Sequence, residues 1–100
     1  MSTQQTMRFQ LGQIVATPGA LEALQRNNVE ALDYLRRHVS GDWGIVCKED
    51  QQTNEESLKN GARLMSAYFL PDETTLWIIT DAANDAGARE ATTLLLPDEY

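Results

Sequence analysis

Arg63-Leu64-Met65-Ser66-Ala67-Tyr68-Phe69-Leu70-Pro71-Asp72-Glu73-Thr74-Thr75-Leu76-Trp77-Ile78-Ile79-Thr80-Asp81 decides the fold. Up to Leu70 the side chains alternate with a period of two, which is strand periodicity. Leu64, Ser66, Tyr68 and Leu70 share one face, and Met65, Ala67 and Phe69 the other. Pro71-Asp72-Glu73-Thr74 supplies turn chemistry, because proline presets φ and aspartate bonds its own backbone. Thr75 to Asp81 then resumes as a strand, and Leu76-Trp77-Ile78-Ile79 is apolar on both faces, as a central strand requires. A third strand is predicted over Ala91 to Pro97, after an Ala82-to-Arg89 loop rich in Ala, Asn, Asp and Gly. Connections this short imply antiparallel neighbours, so the second part of the chain reads as a three-stranded antiparallel meander.

Upstream the period is helical. Arg8 to Ala16 reads as an N-terminal strand with imperfect alternation, which can join the sheet. Thr17-Pro18 marks a helix start, the hydroxyl accepting an orphan amide proton and proline losing nothing at the first helical position. Leu21 and Leu24 give this short helix one apolar face. Asn28 is placed to cap a second helix, Val29 to about Val39, whose Val29, Leu32, Leu35 or Arg36, and Val39 recur at three- and four-residue spacing. Ser40-Gly41 ends it, and Asp42-Trp43-Gly44 makes a tight corner before a brief apolar Ile45-Val46-Cys47. A third helix opens at Glu49 or Asp50, runs to about Lys59 and stops at Asn60-Gly61. Leu58 is almost its only apolar residue, so it packs by one thin edge. The expectation is an α+β domain over residues 8–100, with an N-terminal strand and two to three helices before the meander, preceded by a disordered tail over 1–7.

Composition bounds the function. One hundred residues and 42% hydrophobic content suit one modest core. A net charge of −7 argues against direct nucleic-acid binding, which needs clustered Lys and Arg. The charge is uneven, +1 over residues 1–40 and −8 over residues 41–100. Such a surface can imitate nucleic-acid phosphates toward a basic groove, or simply keep a small protein solvated. No apolar run approaches the ~20 residues that span a bilayer, the first residues lack a secretory h-region, and a lone Cys47 fits a reducing cytoplasm.

The equipment for chemistry is sparse. His38 is the only histidine, which excludes histidine triads and two-histidine metal sites and leaves a ring near a helix C-terminus as a structural group. Cys47, in an apolar run, reads as a small buried hydrophobe. Asp42, Glu49, Asp50, Glu55 and Glu56 form the densest acid cluster, without the alternating ligands and central glycine of a calcium loop. The glycines have the wrong spacing for a phosphate cradle, so no metal or cofactor is expected. Trp43 either plugs the helix–sheet interface or stands out as a contact anchor. The candidate interaction residues are Asp42, Trp43, Glu49, Asp50, Glu55, Glu56, Tyr68 and Asp81.

Several blocks resemble a family of small bacterial proteins encoded on plasmids, phages and other mobile elements. They are Leu11-Gly12-Gln13-Ile14-Val15-Ala16-Thr17-Pro18-Gly19-Ala20-Leu21, Gly41-Asp42-Trp43-Gly44 with Cys47 and Glu49-Asp50, Leu76-Trp77-Ile78-Ile79-Thr80-Asp81, and Thr92-Thr93-Leu94-Leu95-Leu96-Pro97 ending in Glu99-Tyr100. Some members carry the label of a type I restriction enzyme M subunit, which 100 residues without a cofactor-binding glycine loop do not fit. The chain departs from the family in its longer Ala82-to-Glu90 segment. The resemblance implies an accessory role in a mobile element, with a host or element-encoded protein as partner. The helix-then-meander order is also distantly similar to the barnase, EndoU, colicin and RelE group of small ribonucleases. That likeness implies His38, Arg36, Arg37, Arg63 and Arg89 as the groups to stabilise a phosphorane. Three functions follow: non-catalytic protein binding, a ribonuclease-like toxin, and a structural homodimer joined at a strand edge.

Overall fold

In the computed structural model, which describes residues 7–100, the elements run β1 (Gln13–Ala16), α1 (Pro18–Arg26), α2 (Ala31–Val39), α3 (Lys48–Asn60), β2 (Leu64–Phe69), β3 (Thr75–Thr80) and β4 (Ala91–Leu95), then a 3₁₀ turn, Pro97–Glu99. The expected tail over 1–7 lies outside the described residues except for Met7, which is exposed.

The helix boundary signals act as read, with one correction, but the apolar faces are narrower than read: Leu24, Leu35 and Val39 are buried, whereas Leu21 is 56% and Leu32 55% exposed. Thr17 caps α1, its hydroxyl accepting from Ala20 N–H at 3.1 Å with Pro18 in the first turn. Asn28, expected to open α2, instead closes α1. It adopts φ +55 while Asn28 N–H bonds Gln25 O and Val29 N–H bonds Leu24 O, the left-handed closure asparagine tolerates. α2 therefore begins two residues later than predicted, after Glu30.

The fold is α+β, and its sheet corrects the three-stranded meander. β2, β3 and β4 do pair antiparallel in sequence order, but the sheet has four strands in the order β1-β4-β3-β2 and is mixed. β1 lies parallel to β4, from Gln13 opposite Ala91 to Ala16 opposite Leu94. The helical excursion between β1 and β2 is long enough to allow parallel pairing. β1 is also shorter than the predicted Arg8-to-Ala16 strand. Arg8 N–H bonds Val39 O, and Gly12 turns the chain at φ +65. A Cβ there would sit 2.4 Å from Glu90 O, so only glycine lets the segment press onto the start of β4.

Helices cover one face of the sheet. Tyr68, Leu76, Ile78 and Leu94 meet Ala20, Ala23 and Leu24 of α1 and Leu35 of α2 in the core. The register puts Ser66, Thr80 and Thr92 on that same face. α3 lies against β2 at the sheet margin, with only Asn54 and Ser57 buried.

Candidate functional site

The predicted interaction residues divide into an interlocked corner and a scatter. At the corner, between the end of α2, the outer edge of β2 and α3, Arg37 Nε donates to Asp42 Oδ2 at 2.8 Å. The Tyr68 hydroxyl donates to the Asp42 carbonyl, and Arg37 lies 4.5 Å over the Tyr68 ring. Trp43 Nε1 donates to Glu55 Oε2 at 3.0 Å, and Arg8 grips the same carboxylate through both terminal nitrogens, at 3.0 and 2.8 Å. Hydrogen bonds from Arg8, then from Trp43, hold the Glu55 carboxyl below its ordinary pKa. Burial pushes the Tyr68 hydroxyl well above the usual tyrosine range.

This corner revises the expected roles. Trp43 is 4% and Tyr68 1% exposed, so neither offers an aromatic anchor to a partner. Trp43 is the plug, stacked with Phe9 at 6.1 Å and edge-on to His38 at 5.8 Å. Asp42 and Glu55 spend their charge on Arg37 and Arg8. Glu49, Asp50, Glu56 and Asp81 are exposed, and the five clustered acids do not converge. Among the described residues no group of three or more His, Cys, Asp and Glu side chains is placed to hold a metal ion. Cys47, expected as a small buried hydrophobe, is exposed just before α3, because the apolar run ends as the chain turns outward into that polar helix.

The implied ribonuclease set does not meet either. His38 is fully buried, and its bonds order a proton chain. The Leu11 carbonyl can only accept, so Thr92 donates to it at 2.7 Å. Thr80 then donates to Thr92, His38 Nε2–H to Thr80, and the Ser66 hydroxyl to Nδ1. Burial lowers the His38 pKa to about 3, so this neutral tautomer is a structural tie between α2 and three strands. Arg89 is also buried, and donates to the carbonyls of Ser57, Ala62 and Asp81 at 2.7–3.0 Å. One carbonyl from the last turn of α3 and two from the loops after α3 and β3 thereby hold its charge, and it presents none to a phosphate. Arg36 and Arg63 are exposed.

What remains open is the second sheet face. The register places Met65, Ala67 and Phe69 of β2 beside Ile79, Trp77 and Thr75 of β3, then Thr93 and Leu95 of β4 and Val15 of β1. No helix covers it. Phe69 is 57% and Val15 39% exposed and Met65, Trp77 and Ile79 are half-buried, while Ala67 and Leu95 on the same face are buried. The C-terminus shields one end: Tyr100 stands edge-on to Trp77 at 5.6 Å and accepts a hydrogen bond from Arg63 at 2.6 Å. Between this aromatic pair and α3 runs a groove of about 420 Å³, edged by Asp50, Thr53, Met65, Trp77, Arg63 and Tyr100. The Glu99 carboxylate fixes the tail by accepting from Thr17 Oγ1, Gly19 N–H and Leu96 N–H. Of these residues, sequence reasoning singled out only Asp50 as a partner contact. The available signal was α3 itself, whose single leucine leaves it unable to cover a face that is apolar at Met65, Ala67, Phe69, Trp77 and Ile79.

Comparison with protein-family models, curated proteins and solved structures finds no significant match to this chain.

Proposed function

We propose that this protein is a non-catalytic binding module that receives a basic protein surface with an apolar centre on its uncovered sheet face. The exposure of Phe69 and Val15 around half-buried Trp77 and Ile79 carries the reading, because contiguous apolar surface rimmed by polar groups marks interaction sites. Charge supports it. Three of the four strands, α3 and the C-terminal turn belong to residues 41–100, which carry a net −8. His38 and Arg89 are buried in structural bonds, and Asp42 and Glu55 are paired with arginines, so they favour binding over bond-making. The resemblance to mobile-element proteins supports an accessory role in the bacterial cytoplasm. A host defence protein with a basic nucleic-acid groove fits the charge, carboxylates standing where phosphates would lie. No helix of the described residues is long and apolar enough to cross a membrane.

The test uses wild-type protein and Phe69→Arg as baits in a bacterial lysate, with the captured proteins identified by mass spectrometry. The reading expects one basic protein that the wild type holds and Phe69→Arg loses. It also expects release as salt rises from 0.1 M to 1 M and shortens the Debye length from about 10 Å to about 3 Å. A partner held equally by both baits at both salt concentrations removes the reading.

A further inference from the structure

The two edges of the sheet are finished differently. On β2 the outward backbone groups of Met65 are taken by the Asn54 side chain, which accepts from Met65 N–H at 3.1 Å and donates to Met65 O at 2.7 Å. Those of Ala67 pair with Trp43 O and Ile45 N–H at 3.1 and 2.8 Å. That edge is closed at Met65 and Ala67.

At β1 nothing comparable is built among the described residues. Gln13 N–H and Thr17 N–H bond Glu90 O and Leu94 O, so the odd residues of β1 face β4. In parallel pairing both polar groups of a residue turn the same way, which aims those of Ile14 and Ala16 outward. Ile14 is 43% and Val15 39% exposed, so neither is covered. The segment also lies in the longest charge-free run of the chain, the thirteen residues Phe9 to Leu21, in a protein of net charge −7. Two identical acidic chains repel elsewhere; here they can meet without opposing like charges.

We propose that β1 pairs antiparallel with β1 of a second copy, about a two-fold axis through Val15. The register is self-consistent. Centred on Val15 opposite Val15 of the other copy, it sets Ile14 opposite Ala16 and Ala16 opposite Ile14. These are the residues whose polar groups point outward, so each pair exchanges two N–H···O bonds. The two sheets join into one of eight strands, and the two uncovered faces become continuous. The pairing stands on the edge alone and holds whether or not the uncovered face binds a partner.

Opposed Val15 residues, with Cα atoms about 4.5 Å apart in a non-hydrogen-bonded pair, provide the test. Sedimentation velocity over a micromolar concentration series should show wild type at twice the 11.2 kDa chain mass. Val15→Lys and Val15→Glu should each sediment as a monomer, with association weakened by about tenfold or more, since each sets like charges face to face. Mixing the two should restore the double mass, because Lys then opposes Glu. Ile14→Pro gives a second check: it removes an outward N–H that no bond among the described residues uses, so the circular dichroism spectrum stays native while the dimer is lost. A monomeric wild type overturns the proposal. So does a dimer that survives either charged variant, or a mixture that stays monomeric.

Discussion

The two faces of the sheet are made from the same strands and differ in almost every physical respect. Under α1 and α2, Tyr68, Leu76, Ile78 and Leu94 are at most 2% exposed, and the polar residues among them are fully bonded through His38. Across the sheet, one residue along each strand, Ala67 and Leu95 are buried, but Phe69 and Val15 are more than a third exposed and no helix of the described residues lies over them. The difference teaches that alternation alone makes a strand, while the supply of apolar helix faces decides which side becomes core. Here two helices carry such a face and the third does not.

The largest effect should come from breaking the covered face at His38. His38→Ala leaves a cavity among Phe9, Trp43 and three strands and strips Ser66 and Thr80 of a partner. A loss of about 3–5 kcal/mol is expected in urea unfolding monitored by tryptophan fluorescence. The wild type should show the corresponding pH dependence. A histidine held near pKa 3 in the fold but near 6.5 in the unfolded chain lets the unfolded state bind the extra proton between those values. Stability is therefore full above pH 6.5 and falls by about 1.4 kcal/mol per pH unit below it, levelling near pH 3. His38→Ala should flatten that slope, and unchanged slopes would show that the ring is not the titrating group.

Gly44 sharpens the same contrast at the margin. It holds φ +77, and a Cβ there would fall 1.9 Å from Ala67 O, the atom that accepts Ile45 N–H and closes the β2 edge. Gly44→Ala should cost about 2–3 kcal/mol in the same unfolding experiment. It should also expose the Ala67 and Ile45 amides to hydrogen exchange, while β3 amides stay protected. Thr17→Ala tests the covered face from its helix end. It removes the α1 cap and one ligand of the Glu99 carboxylate, for about 1 kcal/mol.

Much of this was legible in the sequence. The meander strands, the Thr17-Pro18 start, the Gly61 stop and the thin packing of α3 follow from local chemistry that the structure keeps. Three things were not. The parallel partnership of β1 with β4 joins residues 75 or more positions apart, and no local pattern encodes it. Asn28 carries the same preference for opening a helix and for closing one, and the bonds from Asn28 and Val29 back to α1 settle which occurs. The acids of residues 42–56 looked like one cluster, yet Asp42 and Glu55 are paired off at the surface with Arg37 and with Arg8, whose relation to them lies in tertiary structure. The uncovered face was legible in principle, as an excess of apolar strand positions over apolar helix faces.

The smallest effect on stability should come from the uncovered face, and it decides what that face is for. Phe69 is 57% exposed and makes none of the aromatic pairs that hold Phe9, Trp43 or Tyr68. Phe69→Ser should therefore change unfolding free energy by less than about 0.5 kcal/mol, as surface substitutions away from caps and buried pairs do. If the face serves only as the back of a marginal core, the same change should cost about 2 kcal/mol or more, because a buried phenyl ring is worth that much. A near-silent Phe69→Ser in chemical unfolding would mean that a large aromatic ring is kept in water without a folding benefit. Its burial is then left to a partner.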